Sequence, residues 1–256
     1  MPGSRLLIVA GVVIVAAVAV GGFVVYDQVL RGDDVAALAL PSAAPTAATS
    51  SATSSPAATA SNGTTASAAP AAGSGEVAGT WTASSGSQAG YRVTEQLAQL
   101  PAQSDAVGRT DKVTGSMTLT TSGGTTTLTA ATLTVDTTSI TSDKSQRDNR
   151  LRTEGLQTDR YPTATFTLTK PVEVPAAALT GTPSDVTLTG DLTLHGVTKS
   201  VQIPAKAQLV DGTVSVLGSL TFPLSDYAMV APNIGGFIVS IADQGTLEFV
   251  VNFTHT

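Results

Sequence analysis

The chain of 256 residues contains no cysteine. A disulfide framework, a thiolate metal site and a lipid-modified cysteine anchor are therefore excluded. Charge is also scarce, at 12% of residues, and the formal net charge is -6 with only 13 lysines and arginines. Because so few cations are spread over the whole chain, we expect no nucleic-acid partner.

Histidine is nearly absent, since only His195 and His255 occur. His195 precedes a turn glycine and is predicted to be an exposed turn residue, and His255 is the penultimate residue. The sequence motifs of serine hydrolases, zinc proteases and nucleotide-binding folds are missing. Asp136, Asp191 and Glu248 alternate with apolar neighbours, which predicts outward side chains rather than an acid–base pair. These features argue against an enzyme, a metal site and a cofactor.

One long apolar run, Leu6 to Tyr26, has 21 residues without a charge. At ~1.5 Å per helical residue it is long enough to cross a ~30 Å hydrocarbon core. Arg5 precedes the run, so the positive-inside rule predicts residues 1–5 in the cytoplasm and the rest outside. We expect a single-pass signal anchor in the cell membrane, spanning residues 6–26. A cleaved signal peptide is the alternative, although the small residues at Ala37–Ala39 lie well past the apolar run.

Residues 27–75 are predicted to be a linker. Pro41 to Gly75 consists of alanine, serine, threonine, proline, glycine and one asparagine, with no charge and no large apolar side chain. Such a segment cannot bury enough surface to offset the entropy cost of ordering, so we expect it to be disordered. Residues 76–256 are predicted to form one domain that folds without the preceding residues.

From Trp81 onward the dominant pattern is alternation of apolar residues with threonine and other polar residues, as in Val186–Leu194 and Leu247–Phe253. This period predicts antiparallel strands with one apolar and one wet face. About eight such strands with one short helix predict an all-β antiparallel barrel or sandwich. Eight strands can close around one small ligand.

Turn residues separate the predicted strands. Gly123-Gly124 and Asp211-Gly212 predict tight hairpins. The alternation breaks at Ala130-Ala131, between Leu128 and Leu133, which predicts that one strand absorbs an extra residue in a β-bulge.

The segment Thr141 to Arg160 is unusual because it holds nine charged residues. Its spacing predicts a short amphipathic helix that ends near Gly155. The supporting pairs are a capping pair and two i,i+4 ion pairs: Asp143 with Gln146, Asp143 with Arg147, and Asp148 with Arg152.

Four motifs between Thr137 and Thr198 resemble the YceI-like family, in order and in spacing. They are Thr137-Thr-Ser, Arg147-Asp-x-x-Leu-Arg, Tyr161-Pro-x-x-x-Phe and Gly190-x-Leu-Thr-x-x-Gly-Val-Thr. The resemblance extends from about Gly79 to Phe253. It implies a lipocalin-like β-barrel whose interior holds a polyisoprenoid or other lipid chain, without catalysis.

A ligand inside such a barrel would contact the inward apolar side chains. The predicted ligand-binding residues are Tyr91, Leu133, Val135, Phe166, Leu168, Leu192, Leu194, Phe222 and Phe237. The alternative is that these side chains simply fill a core, as apolar residues on strand faces usually do.

Arg147, Arg150 and Arg152 are the candidates for binding a headgroup, because guanidinium groups suit phosphate oxygens. The alternative is that they pair with the acidic residues of their own segment and leave a charge-balanced helix.

The sequence therefore predicts an extracytoplasmic, membrane-anchored protein that carries a long apolar ligand in a β-barrel. A non-liganded interaction module of the cell envelope is the second hypothesis, and a hydrolase is the third. No cofactor is predicted.

Overall fold

The computed structural model describes residues 35–41, 77–97, 103–231 and 238–256. The expected membrane span at 6–26 and most of the linker lie outside these ranges. Within them, no helix has both the length and the apolar character needed to cross a membrane.

The described part of the chain is built mainly from twelve strand segments, all paired antiparallel. Their bounds are β1 Gly79–Ala83, β2 Gln88–Leu97, β3 Gln103–Thr110, β4 Val113–Ser122, β5 Thr125–Asp136, β6 Thr163–Leu168, β7 Val172–Val174, β8 Ser184–Leu194, β9 Val197–Val210, β10 Thr213–Pro223, β11 Ile238–Ile241 and β12 Gln244–His255.

The segments close into a barrel of eight strand positions, because four positions hold two consecutive segments each. β1 and β2 share one position, since both pair with β12, and β3 and β4 share the next. β6 and β7 both pair with β5, and β11 and β12 both pair with β2. Neighbours in sequence are neighbours in the barrel, and β1 closes it against β12 with Trp81 opposite His255. The predicted all-β barrel of about eight antiparallel strands is thus confirmed.

Both predicted hairpins are present as two-residue turns with positive φ at both positions. Gly123 and Gly124 have φ values of 58° and 84°, and Asp211 and Gly212 have 50° and 74°. The β8–β9 hairpin uses His195 and Gly196 in the same way. Such turns match the right-handed twist of the strands that they join.

The predicted bulge is also confirmed. Thr118 pairs with Ala130, whereas the next residue, Leu119, pairs with Leu128, so Thr129 is the extra residue of β5. The bulge restores the inward orientation of the apolar residues on both sides of it.

Aromatic rings inside the barrel lie over glycines of the adjacent strand. Gly108 is directly opposite Tyr91, and a Cβ at Gly108 would lie only 2.4 Å from Cε1 of that ring. Gly218 is opposite Phe249, with 2.6 Å to Cζ. The missing side chains thus make room for the rings that fill the interior.

The charged segment forms the predicted short helix, with different details. Helix α1 covers Ser145–Arg150 and continues as a π-helical turn over Leu151–Gly155. Asp143 pairs with Arg147 as predicted, but it does not cap the helix, which begins after Lys144 without a side-chain cap. A further helical turn, α2, covers Ala176–Leu179, and 3₁₀ turns cover Thr137–Ser139 and Leu224–Tyr227.

The second predicted ion pair of the helix, between Asp148 and Arg152, is wrong. Asp148 is buried and accepts hydrogen bonds from the backbone N–H and the hydroxyl of Ser142, at 2.9 and 2.7 Å. Burial beside two donors satisfies this carboxylate locally, so Arg152 donates instead to Asn149 and to nearby backbone carbonyls.

Residues 35–41, which the sequence places in the linker, lie on the outside of the barrel. Arg92 donates to the Val35 carbonyl at 3.1 Å, Arg109 to the Ala36 carbonyl at 2.6 Å, and Gln208 to the Pro41 carbonyl at 2.7 Å. These three donors stand on β2, β3 and β9, so the segment crosses the outer face of β10 and β12 between them. We refer to residues 35–41 as the outer segment.

Candidate functional site

The barrel encloses a cavity of about 180 Å³ with an almost entirely apolar lining. Its walls come from the inward faces of the strands, as the alternation of apolar residues predicts. Seven of the nine predicted ligand-binding residues line it: Tyr91, Leu133, Val135, Phe166, Leu192, Leu194 and Phe222. The interior is therefore not a completely filled core.

The remaining two predicted residues are placed differently. Leu168 is buried in the hydrophobic core but is not part of the cavity wall. Leu168 lies two residues beyond Phe166 on β6 and opposite Gly190 of β8, over which the Phe166 ring packs. Phe237 lies outside the described residues.

One end of the cavity is closed by the charged segment. Leu151, Gly155 and Leu156 of the π turn and its end line the cavity together with Leu224 and Met229. Val230 also lines it and is 78% exposed, which places an apolar side chain where the cavity meets solvent.

A second void of about 40 Å³ lies toward the opposite end of the barrel. It is lined by Leu119, Leu128 and Leu209, among others, and by Leu188. Leu188 lines the main cavity as well, so this buried side chain stands between the two voids.

The main cavity has one polar cluster, formed by Tyr91, Glu95 and Arg147. Glu95 is 4% exposed, and its carboxylate accepts a hydrogen bond from Nη2 of Arg147 at 2.6 Å. Nη1 of Arg147 donates to Asp143 and, at 3.3 Å, to the Ser142 hydroxyl. Among the described residues, Glu95 and Arg147 are the charged groups in the cavity wall.

Two buried polar atoms of this cluster have no hydrogen-bond partner among the described residues: the Tyr91 hydroxyl and Nε of Arg147. The Ser142 side chain lies near the Tyr91 hydroxyl and acts to lower its pKa, but no hydrogen bond of normal geometry joins the two groups. Both atoms therefore retain an unused donor hydrogen.

The protonation states of the cluster follow from burial and from neighbouring charges. Burial raises the pKa of Tyr91 to about 12, because the loss of hydration outweighs the attraction of the Arg147 charge. Burial alone would lower the pKa of Arg147, but the hydrogen bonds and charges of Glu95 and Asp143 outweigh it and raise that pKa. At neutral pH Tyr91 is thus a neutral hydroxyl and Arg147 a cation.

Of the three predicted headgroup residues, the structure brings only Arg147 to the cavity. Arg150 is exposed and pairs with Glu154, and Arg152 donates to the Thr138 and Ile140 carbonyls. Arg150 and Arg152 follow Arg147 by three and five positions, and these partners outside the cavity hold their guanidinium groups away from it. The expected cluster of three arginines at one mouth is therefore not formed.

Glu95 is the site residue that sequence reasoning missed. It continues the inward series Tyr91, Val93 and Glu95 on β2, so the alternation alone would have placed a carboxylate inside the barrel. Its partner lies 52 positions away, and no local pattern identifies that pairing.

The expectation that His195 is exposed is wrong, since it is buried at 8% exposure. The 3₁₀ turn Leu224–Tyr227 covers it, and Nδ1 lies 3.0 Å from the Tyr227 carbonyl oxygen. The Tyr161 ring packs edge-on against the imidazole at 4.6 Å between ring centres. His195 does not line the cavity, and no cluster of metal-ligating residues occurs in the part of the chain that the structure describes.

Comparison with known proteins gives a family match and several structural neighbours. The model of the YceI-like domain family matches residues 81–253. The fold is similar to a polyisoprenoid-binding domain from Saccharophagus degradans implicated in plant cell wall breakdown, with 21% identity and a TM-score of 0.54 over 70% of this chain and 99% of that chain.

Two further solved structures are more distant. BcnA of Burkholderia cenocepacia is 19% identical, with a TM-score of 0.49 over 65% of this chain and 95% of its own. The YCEI protein of Campylobacter jejuni is 19% identical, with a TM-score of 0.43 over 57% of this chain and 82% of its own. No curated protein matches the chain.

Proposed function

The chain belongs to the YceI-like family, and from this membership we propose that its barrel binds and carries a long apolar ligand, a polyisoprenoid or another lipid chain. The observation that carries the proposal is the apolar cavity enclosed by the strands. The naming of the Saccharophagus degradans relative as a polyisoprenoid-binding domain supports the same class of ligand.

Burial of the chain supplies the binding free energy. Each methylene group that leaves water contributes ~0.8 kcal/mol, so even a short section of a lipid chain binds appreciably. The cavity of about 180 Å³ is smaller than the ~300 to 1,000 Å³ of typical ligand pockets. A long chain must therefore move side chains of the wall or leave part of its length at the open end near Val230.

In this proposal, an N-terminal span anchors the protein in the membrane and the barrel acts outside that membrane. The support is in the sequence: the uncharged run Leu6 to Tyr26 and the basic residue before it. An anchored carrier would collect or deliver its ligand at the bilayer surface. The cavity chemistry, one ion pair in an apolar wall, suits binding rather than hydrolysis.

The proposal is tested by filling the cavity. Leu192→Trp in the full-length chain places an indole in the main cavity and should abolish both co-purified lipid and the binding of a fluorescent apolar probe. Leu128→Trp is the matched control, because Leu128 lines the second void and not the main cavity. It should retain the ligand, with circular dichroism reporting that both variants are folded.

An unmodified chain that carries no lipid and takes up no probe would contradict the carrier function. The interaction module would then be the better explanation, with the cavity as a packing defect. Equal loss of binding in both tryptophan variants would show that the main cavity is not the binding site.

A further inference from the structure

The polar cluster of the cavity contains two donor hydrogens that the protein leaves unused. The Tyr91 hydroxyl and Nε of Arg147 are both buried and have no partner among the described residues. Buried donors without an acceptor cost free energy, so they are rare in folded proteins and call for an explanation. Both residues line the cavity, which places the missing acceptor there.

The charge around these donors is negative on balance. Arg147, the cation of the cavity wall, faces the Glu95 carboxylate at 2.6 Å and is also paired with Asp143, which the exposed Lys144 contacts at 3.7 Å. Asp148, itself buried, acts on the Tyr91 hydroxyl electrostatically as a third carboxylate. One guanidinium group already balanced by more than one carboxylate offers no net attraction to a further anion.

We propose that this end of the cavity selects ligands with an uncharged, oxygen-bearing head group, such as a carbonyl or ester, and rejects anionic heads. This inference rests on the proposed lipid-binding function and specifies its ligand class. The oxygen of the head group accepts hydrogen bonds from the Tyr91 hydroxyl and from Nε of Arg147, while the chain occupies the apolar wall. The geometry thus replaces the sequence-based expectation of a phosphate-bearing headgroup held by three arginines.

A plain hydrocarbon and an anionic head group should each bind weakly at this cluster, for different reasons. A hydrocarbon leaves both donors unsatisfied. A diphosphate satisfies them but brings its charge next to buried Glu95 and Asp148 in a site with little water, where like charges repel more strongly than in solution. A neutral acceptor avoids both costs.

Three ligands with a phytyl-type chain separate these cases: phytyl acetate, phytyl diphosphate and the hydrocarbon phytane. Their affinities for the full-length chain in detergent micelles can be measured by displacement of a fluorescent apolar probe. One hydrogen bond changes affinity by about three- to tenfold, so phytyl acetate should bind at least that much more tightly than phytane and than the diphosphate.

Variants of the cluster test the assignment of the donors. Tyr91→Phe keeps the ring and removes the hydroxyl, so it should weaken phytyl acetate about three- to tenfold and leave phytane unchanged. Glu95→Gln removes a negative charge from the cluster, so it should reduce the difference in affinity between phytyl acetate and phytyl diphosphate. Arg150→Gln, on the exposed side of the same helix, should change none of the three affinities.

The inference is overturned if the diphosphate binds as tightly as the acetate, or if Tyr91→Phe weakens all three ligands alike. If none of the three displaces the probe from the unmodified chain, lipid binding itself fails, and the head-group inference fails with it. Binding of phytane equal to that of the acetate would leave the carrier function intact and overturn the head-group inference alone.

Discussion

Tyr91 lies where the apolar wall of the cavity meets its polar cluster, and packing rather than hydrogen bonding holds its ring. Gly108 on the adjacent strand leaves the space that the ring fills, and Ile140 packs near the same point. The hydroxyl is therefore presented to the cavity by contacts that do not consume its hydrogen. The packing thus fixes the position of a donor whose lack of an acceptor costs free energy, and in our proposal the oxygen of the ligand removes that cost.

The burial of Tyr91 predicts a loss of stability at alkaline pH. Its pKa is raised from 10.0 to about 12, so the folded state holds the proton more tightly than the unfolded state does. The stabilising contribution is complete below pH 10 and is lost as the pH rises from 10 to 12. Urea unfolding of the chain and of Tyr91→Phe over this range should show a smaller alkaline loss for the variant. Parallel pH profiles would contradict the prediction.

Single residues also mark the limit of what the sequence predicts. Alternation placed seven apolar or aromatic side chains on the cavity wall, because strand parity fixes which face a residue occupies. It could not show that His195 would be covered, since the covering turn comes from residues about thirty positions later. The sequence also could not show that Arg147, rather than Arg150, would reach the cavity, because that depends on the angle at which the helix lies on the barrel.

At the scale of the helix, the two arginines of α1 make a matched pair for measuring an ion pair inside and outside the barrel. Arg147→Leu leaves Glu95, 4% exposed, without its partner and should destabilise the protein by about 3 to 5 kcal/mol. Arg150→Leu removes only a surface pair with Glu154 and should cost less than about 1 kcal/mol. Urea denaturation compares the two, and similar costs would show that the Glu95 pair contributes little.

At the scale of strands, Leu188 of β8 divides the barrel interior. Leu188→Ala should join the main cavity to the second void and allow a longer section of chain to enter. The truncation should cost about 2 to 5 kcal/mol of stability in the empty protein, part of which a bound ligand would restore. Affinity for a series of lipids of increasing length should peak at a longer chain than in the unmodified protein. An unchanged length preference would show that Leu188 is not the barrier.

The strand elements were the part of the fold that the sequence predicted best. Glycine-containing turns fixed the hairpins, and the interrupted alternation located the bulge within about one residue of Thr129. The division of four strand positions into two segments was not predicted, because a short break such as Asp111–Lys112 carries no signal that distinguishes it from a hairpin turn. Only the pairing partners of the strands distinguish a break within one strand position from a hairpin turn.

At the scale of the whole molecule, the outer segment extends the folded unit beyond the barrel. Gln208, Ser215, Val250 and Glu248 face outward by parity and are nevertheless buried. Glu248 is also held by Arg109 at 2.7 Å, and the same arginine donates to the Ala36 carbonyl. These contacts were not predictable, because residues 27–75 have the composition of a linker.

Deletion of residues 35–41 should therefore lower the stability of the barrel. Three hydrogen bonds are lost, each contributing about 0.5 to 1.5 kcal/mol, and the outward face of β10 and β12 becomes solvated. Deletion of seven residues at 52–58 is the control for chain length and should leave the thermal midpoint unchanged. Equal midpoints for the two deletions would show that the outer segment adds nothing, and that residues 76–256 are the whole folding unit.

If the proposed span at residues 6–26 anchors the chain, contact of the outer segment with the barrel shortens the tether between the membrane and the barrel. Counted from the proposed span, 49 residues precede position 76, but only eight lie between Tyr26 and Val35. At about 3.4 Å per residue, fully extended, the first length reaches roughly 170 Å and the second roughly 27 Å. The volume that a barrel can explore falls steeply as the tether shortens, so the concentration of bilayer lipid that it experiences rises accordingly. A seven-residue contact on the outer wall would thus keep the carrier within one protein diameter of its source of ligand.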